Sequence, residues 1–259
     1  MKYAKLLLVL MCMALLACDS TVDPAPDGLV LSSVRHETGD QSWLQLFSYD
    51  AAGRLLAIED QTSYGRNQNY SYQGDHLAEI RNISRAENQV IFIDSLFYNA
   101  NGLLNEVHNY SINEGADLLL NSITYLTYNS QGLLKERSTV YERETDYNPR
   151  DIYYWQDGNV VQLDRYNGDS KLQEYYYTYD KKPAVDYDLW QLTGVRYVTN
   201  QNNIVSTDWT DYTGLLDTAC KPCSGTYSYY ANGLPATYTT NWGYQLTFEF
   251  KELPRTTEQ

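Results

Sequence analysis

The chain has 259 residues and a formal net charge of −14, and 26 of its residues are tyrosine against five Phe and five Trp. The acid excess argues against nucleic acid, whose binding rests on basic contacts to phosphate, and against adsorption to anionic lipid. With three His, no HExxH, no Gly-x-Ser-x-Gly and no phosphate-cradling loop, the sequence calls for no catalytic residue, metal or cofactor.

The first segment in chain order is an address. Lys2 and Lys5 form a short basic region, residues 6–16 an apolar stretch, and Leu15-Leu16-Ala17-Cys18 a processing site. Eleven apolar residues are too few to span a bilayer. The tetrad resembles the lipobox of bacterial lipoproteins, which implies cleavage before Cys18 and acylation of its sulfur. At about 0.8 kcal/mol per buried methylene, two or three acyl chains anchor a protein stably. Residues 19–28, with Pro24 and Pro26, read as a polar tether. The expected organisation is a signal peptide at 1–17, a lipidated Cys and tether at 18–28, a β domain at 29–253 and a tail at 254–259. The mature chain of 242 residues loses two lysines and no acid, which moves the charge from −14 to −16. The expected place is the cell envelope, anchored by lipid at the outer membrane, with the face it occupies left open.

From residue 29 onward the sequence keeps a ruler. Its strictest mark is Tyr49-Asp50-Ala51-Ala52-Gly53-Arg54-Leu55, followed by Tyr98-Asn99-Ala100-Asn101-Gly102-Leu103 and Tyr128-Asn129-Ser130-Gln131-Gly132-Leu133. Asn or Asp first and Gly fourth suits a type I turn that ends in a left-handed Gly. Gln156-Asp157-Gly158-Asn159 suits a type I′ hairpin and Gln73-Gly74-Asp75-His76 a type II′ hairpin. Tyr opens these marks at 49, 72, 98, 128, 154, 179 and 230, at separations of 23, 26, 30, 26, 25 and 51 residues. The long last gap predicts a degenerate unit near Asn200 to Ile204. Between the marks, residue types alternate: Trp43, Phe47 and Tyr49 share one parity, Leu44 and Leu46 the other. Tyr, Thr, Val and Ile favour a pleated surface, and two strands plus two connections fill a unit of about 26 residues. The fold class is therefore all-β, an antiparallel meander of repeated hairpins. Roughly fourteen to sixteen strands must curl into one large twisted sheet or an open, barrel-like wrap.

The motif Tyr49-Asp50-x-x-Gly53-Arg54-Leu55 resembles the YD repeat of RHS-like proteins, and residues 31–250 look like the YD-repeat lipoproteins of Bacteroidota. Tyr177-Thr178-Tyr179-Asp180 and Tyr230-Ala231-Asn232-Gly233-Leu234-Pro235 add to the resemblance. Large RHS proteins wrap a shell around a toxin with dozens of such units. Seven or eight are too few for that, and the resemblance brings no catalytic residue with it.

Four places carry candidate chemistry. Cys220-Lys221-Pro222-Cys223 is expected to be a structural disulfide, with a thiol pair, a redox centre or half a metal site as alternatives. Wide two-sided strands cannot bury every neighbouring ring on one face. Tyr153, Trp155, Tyr175, Tyr177, Trp190 and Trp209 are therefore the candidate platform for a glycan or an envelope protein partner. The alternative is that such rings bury themselves and keep only their hydroxyls wet. Asp186 with Asp188, and Glu142, Glu144 and Asp146, are carboxylate sets that a glycosidase would need about 5 to 10 Å apart. The segment from Pro183 to Tyr230 departs most from the ruler, and loops on a repetitive scaffold are where binding tends to be placed. The overall expectation is a lipid-anchored, non-catalytic binding or scaffold protein. A glycan-binding accessory or carbohydrate-active enzyme, and a purely structural surface protein, are the alternatives; the oligomeric state is left open.

Replacing Cys18 by Ser is expected to leave an uncleaved precursor without lipid, read by metabolic labelling with radioactive palmitate and by precursor size on a gel. Normal processing and labelling would refute the anchor.

Overall fold

The computed structural model describes residues 29–62, 65–113, 117–143, 146–184, 200–213 and 222–253. The first eight strands are β1 (Leu29–Thr38), β2 (Gln41–Tyr49), β3 (Leu55–Asp60), β4 (Arg66–Gln73), β5 (His76–Ser84), β6 (Gln89–Tyr98), β7 (Leu104–Ile112) and β8 (Leu118–Tyr128). The second eight are β9 (Leu134–Tyr141), β10 (Pro149–Gln156), β11 (Asn159–Asn167), β12 (Ser170–Pro183), β13 (Asn202–Asp211), β14 (Cys223–Tyr229), β15 (Pro235–Thr240) and β16 (Tyr244–Glu252). Each pairs antiparallel with its neighbour in sequence, and β1 pairs antiparallel with β16, so the meander closes into a barrel. Closure removes the free edges that a curled sheet would expose. Leu31, Val34 and His36 face Phe250, Phe248 and Leu246 across the closing seam.

Among the described residues, the ruler marks lead into hairpin turns that share one rim of the barrel. In three of them the chain folds back through paired backbone bonds: Asp50 with Arg54, Asn99 with Leu103 and Asn129 with Leu133, each at 2.9 Å from N to O. The reason for Asp or Asn in first place is then visible. Asp50 Oδ1 accepts from the amides of Ala52 and Arg54, both at 2.9 Å. Asn99 Oδ1 does the same for Asn101 and Leu103, and Asn129 Oδ1 for Gln131 and Leu133. One side-chain oxygen thus satisfies two turn amides. The Gly completes the turn in the left-handed region, at φ +76° for Gly132. Asp157 and Gly158 are both at positive φ, as the type I′ reading requires.

Tyrosine at these marks supplies a hydrogen bond that the backbone cannot. At the ruler rim, pairing between successive hairpins stops short of the residue that opens each odd-numbered strand. Pairing of β3 with β4 involves Ala57 and Ile58, leaving Leu55 beyond it. The Tyr72 hydroxyl donates to the Leu55 carbonyl instead, at 2.9 Å. The pattern repeats round the rim: Tyr49 donates to Leu31 at 2.8 Å, Tyr98 to Leu77 at 2.8 Å, Tyr128 to Leu104 at 2.6 Å, and Tyr179 to Val160. The rings of Tyr49, Tyr72, Tyr98 and Tyr128 also pack against the core cluster, which contains Leu31, Leu55, Leu77, Leu104 and Leu134. The leucine that matters is accordingly Leu104 or Leu134, 2% and 1% exposed, and not Leu103 or Leu133 directly after the Gly.

Three details of the ruler differ from the sequence reading. In β10 the inward position is Trp155, whose Nε1–H donates to the Leu134 carbonyl at 2.6 Å, while Tyr154 points outward. Trp155 stands two places before the first turn residue, Asp157, as the inward Tyr72 does before Gly74. In the last hairpin Tyr230 occupies the turn position of Asp50, its amide bonded to Leu234 O at 2.8 Å, so Tyr229, stacked at 6.1 Å on the core-packed Tyr227, is the inward ring. Asn200 to Ile204 is not a further unit: Asn202 opens β13, the return strand of the hairpin that begins at Tyr179.

Tyr98→Phe removes one rim bond while keeping the ring, and is expected to cost about 1 kcal/mol, or up to about 3 kcal/mol if the Leu77 carbonyl stays dry. Gly132→Val is expected to cost more than about 1 kcal/mol, because a β-branched residue resists positive φ. Nothing lies within 4 Å of the added Cβ, so this loss would be one of backbone strain alone. Urea unfolding followed by circular dichroism measures both.

Candidate functional site

Side-chain alternation gives the barrel two faces. Leu31, Val34, Phe47, Leu55, Ile58, Leu77, Ile80, Leu104, Leu134 and Phe248 belong to one buried cluster on the inner wall. Further along the strands, away from the ruler rim, the same inward parity turns polar. Gln68 donates to Asn82 at 3.0 Å, Asn82 to Asp94 Oδ2 at 3.2 Å, and Asn109 to Asp94 Oδ1 at 2.7 Å. Asn121 then donates to Asn109 at 3.1 Å. Two strands on, Asp151 is 2% exposed and lies between two guanidinium groups. Arg137 Nη2 is 2.5 Å from Asp151 Oδ2 and Arg165 Nε 2.9 Å from Oδ1. The carboxylate raises the proton affinity of Arg165 against the effect of burial. Arg165 also sits over the Tyr175 ring, 5.7 Å from its centroid.

Between these two polar groups the inner wall of β6 to β9 forms a partly open cavity of about 160 Å³. Its lining is Asp94, Asn109, Thr124 and Arg137 with Leu104, Val107 and Leu126. The apolar side belongs to the leucine ring of the ruler rim; the polar side belongs to the belt. Burial holds the Asp94 carboxyl above the usual carboxylate range, although the Asn109 and Asn82 amides pull it back. None of these residues was singled out by sequence. The signal that would have found them is parity: Asp94 shares its face with Leu96 and Tyr98, and Asp151 with Tyr153 and Trp155.

The candidate platform residues are distributed differently from an exposed row. Tyr153 is 8% exposed and in the core cluster, and Trp155, Tyr175 and Tyr177 pack against it, so these four line the inner wall. Trp209 is buried too, opposite Tyr175 on β13, and its Nε1 has no hydrogen-bond partner among the described residues. Register decides this: Tyr153, Leu163, Tyr175 and Trp209 are consecutive cross-strand partners. The exposed rings are their neighbours of opposite parity. Tyr154 and Tyr176, 42% and 41% exposed, stand with Tyr212 over a carboxylate pair on the outer face. Tyr154 donates to Asp164, and Tyr176 and Tyr212 donate to Glu174. Lys171 bridges both acids, which outweigh burial and hold its ammonium above its ordinary range. Every carboxylate oxygen there has a donor, so the cluster reads as a self-satisfied surface network.

At the rim opposite the ruler, His36 stacks on Trp43 with centroids 4.8 Å apart, and Trp242 stacks on Tyr244 at 5.2 Å. His36 Nδ1 lies 2.6 Å from the Tyr244 hydroxyl, and burial holds the imidazole below its ordinary range. Cys223, at the start of β14, is disulfide-bonded. Cys18, Cys220, Trp190, Glu144, Asp186 and Asp188 lie outside the described residues.

Asp94→Asn is expected to change the pH profile of stability in a definite sense. A carboxyl whose folded-state value is raised contributes most below its unfolded value, near pH ~4, and loses that contribution as pH rises through the folded value. The wild type should therefore lose ground against Asp94→Asn between about pH 4 and pH 7. Paired urea titrations across that range measure it; a difference that grows in favour of the wild type would contradict the buried, costly carboxylate.

No family model matches the chain, and no curated protein does. Solved structures do resemble it in fold. A porin-like protein from Bacteroides uniformis superposes with a TM-score of 0.58 at 9% identity, covering 85% of this chain and 98% of that one. A porin-like protein from Bacteroides vulgatus gives 0.56 at 13% identity, with the same coverage. A chain of the TcdB2-TccC3-Cdc42 complex aligns over 77% of this chain and 12% of its own length, with a TM-score of 0.36. At these identities the first two share the closed antiparallel barrel with this chain, and the third is too distant to carry an argument.

Proposed function

We propose that this chain is a YD-repeat envelope lipoprotein, anchored by an acylated Cys18, whose barrel stands in water and acts by binding and not as a channel. One observation carries the reading: the polarity of the two faces. A barrel that spans a bilayer turns an apolar band outward and, as a pore, a polar wall inward. Here the apolar cluster lines the inside. On the outside, exposed Arg35, Glu59, Arg81, Asp208 and Glu249 each sit next to a buried, inward residue of the same strand. Arg or Lys on the lipid face costs about 2–4 kcal/mol at the midplane, with Asp and Glu costing less. Repeated on strand after strand, that cost opposes insertion. The Bacteroides porin-like neighbours support an envelope setting and the barrel fold, while the surface chemistry of this chain favours attachment over spanning. The YD motif and lipobox in the sequence support the anchor.

The test uses residues 28–259 without the acyl chain. They are expected to stay soluble without detergent, to float with no lipid vesicles, and to produce no conductance steps in planar bilayers. Stable conductance, or flotation that resists alkaline carbonate, would overturn the reading. A carbohydrate-active enzyme would need two accessible carboxylates about 5 to 10 Å apart. Every oxygen of the outer-face acids is instead already bonded, by Lys171, Gln162 and three tyrosines, which favours binding over catalysis.

A further inference from the structure

The cavity on the inner wall of β6 to β9 has a defined chemistry, and we infer that it is a binding site for a small, neutral, polyhydroxylated ligand of about one sugar ring. The inference rests on the reading of the protein as a binding protein and gives that binding a place and a ligand class. Size comes first: about 160 Å³ equals some five waters at ~30 Å³ each, which is room for a single ring.

Chemistry narrows it further. Asp94 and Arg137 bring opposite charges to the same lining, so a net anion meets the carboxylate and a net cation meets the guanidinium. A wholly apolar guest would strip water from Asp94 without replacing its hydrogen bonds, which is unfavourable. Asp94 uses one donor on each oxygen, from Asn109 and Asn82. A carboxylate offers about four acceptor positions, so hydroxyl donors can fill the others. Opposite the polar groups, Leu104, Val107 and Leu126 supply an apolar surface. A pyranose carries both halves of that pattern, hydroxyls at its rim and C–H groups on its face.

The site is also preorganised. The Asn109 and Asn82 amides fix Asp94, and Asn121 fixes Asn109 in turn. Arg137 is held by Asp151 at 2.5 Å. Groups already fixed by neighbours lose little further freedom when a ligand arrives. The Leu104 carbonyl also accepts the rim bond from the Tyr128 hydroxyl, so the apolar side is anchored to the ruler.

The experiment is saturation-transfer NMR on the full chain against a panel of free monosaccharides (glucose, galactose, mannose, xylose and N-acetylglucosamine), followed by calorimetry for any that transfer. At least one is expected to bind saturably. Val107→Phe, which fills the cavity, and Asp94→Asn, which removes the charged acceptor, should each weaken it at least ~10-fold, or about 1.4 kcal/mol. Tyr176→Ser on the outer face should leave it unchanged. Circular dichroism identifies any variant that fails to fold, and the other one then decides. The site is refuted if no sugar of the panel binds, if binding survives unweakened in every folded cavity variant, or if Tyr176→Ser abolishes it. Failure here leaves solubility and bilayer conductance untouched, so it is distinguishable from failure of the anchored-barrel reading.

Discussion

The structure depends on one contact, the tyrosine hydroxyl that reaches back to the hairpin before it. At the ruler rim each odd-numbered strand begins beyond the last backbone pairing to the next hairpin, which leaves a carbonyl in need of a donor. Buried backbone acceptors are rarely left unpaired. No backbone amide can reach, but an aromatic ring lying along the inner wall can carry a hydroxyl across the gap. Phenylalanine would fill the space without the proton, and serine would carry the proton without the reach. Tyr49, Tyr72, Tyr98, Tyr128 and Tyr179 each meet that double demand. Trp155 meets it with an indole N–H. Where the partner strand lacks a suitable carbonyl, the demand is met sideways: Tyr229 donates to Asp180 and accepts from Asn203.

That break falls at a sparsely paired junction. Among the described residues β13 and β14 share two register pairs, Ser206 with Ser224 and Thr207 with Cys223, as few as β3 and β4. The disulfide of Cys223 sits at that junction. The rest of the wall is uniform enough that function can be confined to where the inner face changes character. The apolar ring gives way to the polar belt along β6 to β9, and the cavity lies at that boundary.

Much of this was legible in the sequence because turns are local. Asp50, Asn99, Asn129 and the glycines that follow announce a backbone geometry that needs no knowledge of the rest of the chain. Alternation likewise separated Phe47 from Leu46, 3% and 37% exposed. What alternation cannot give is the absolute sense of a strand, since one residue of slip exchanges the faces. For this reason Tyr153 and Tyr175 read as display residues when Tyr154 and Tyr176 are the ones in solvent. Tyr230 was misplaced for a related reason: two adjacent tyrosines fit the mark equally well until Gly233 and Leu234 fix the turn. The cavity was invisible because its members, Asp94, Asn109, Thr124 and Arg137, come from four strands and share only a height on the wall.

The antiparallel seam between β1 and β16 carries a consequence for how such chains can change in length. Antiparallel closure demands an even number of strands, so a lone inserted strand would force a parallel pair at the seam. Duplication of a whole hairpin, about 26 residues, adds two strands and repeats the donor and the acceptor together. Gene duplication within the ruler could therefore widen the barrel stepwise without inventing a new contact, whereas gain or loss of half a unit would be selected against at once.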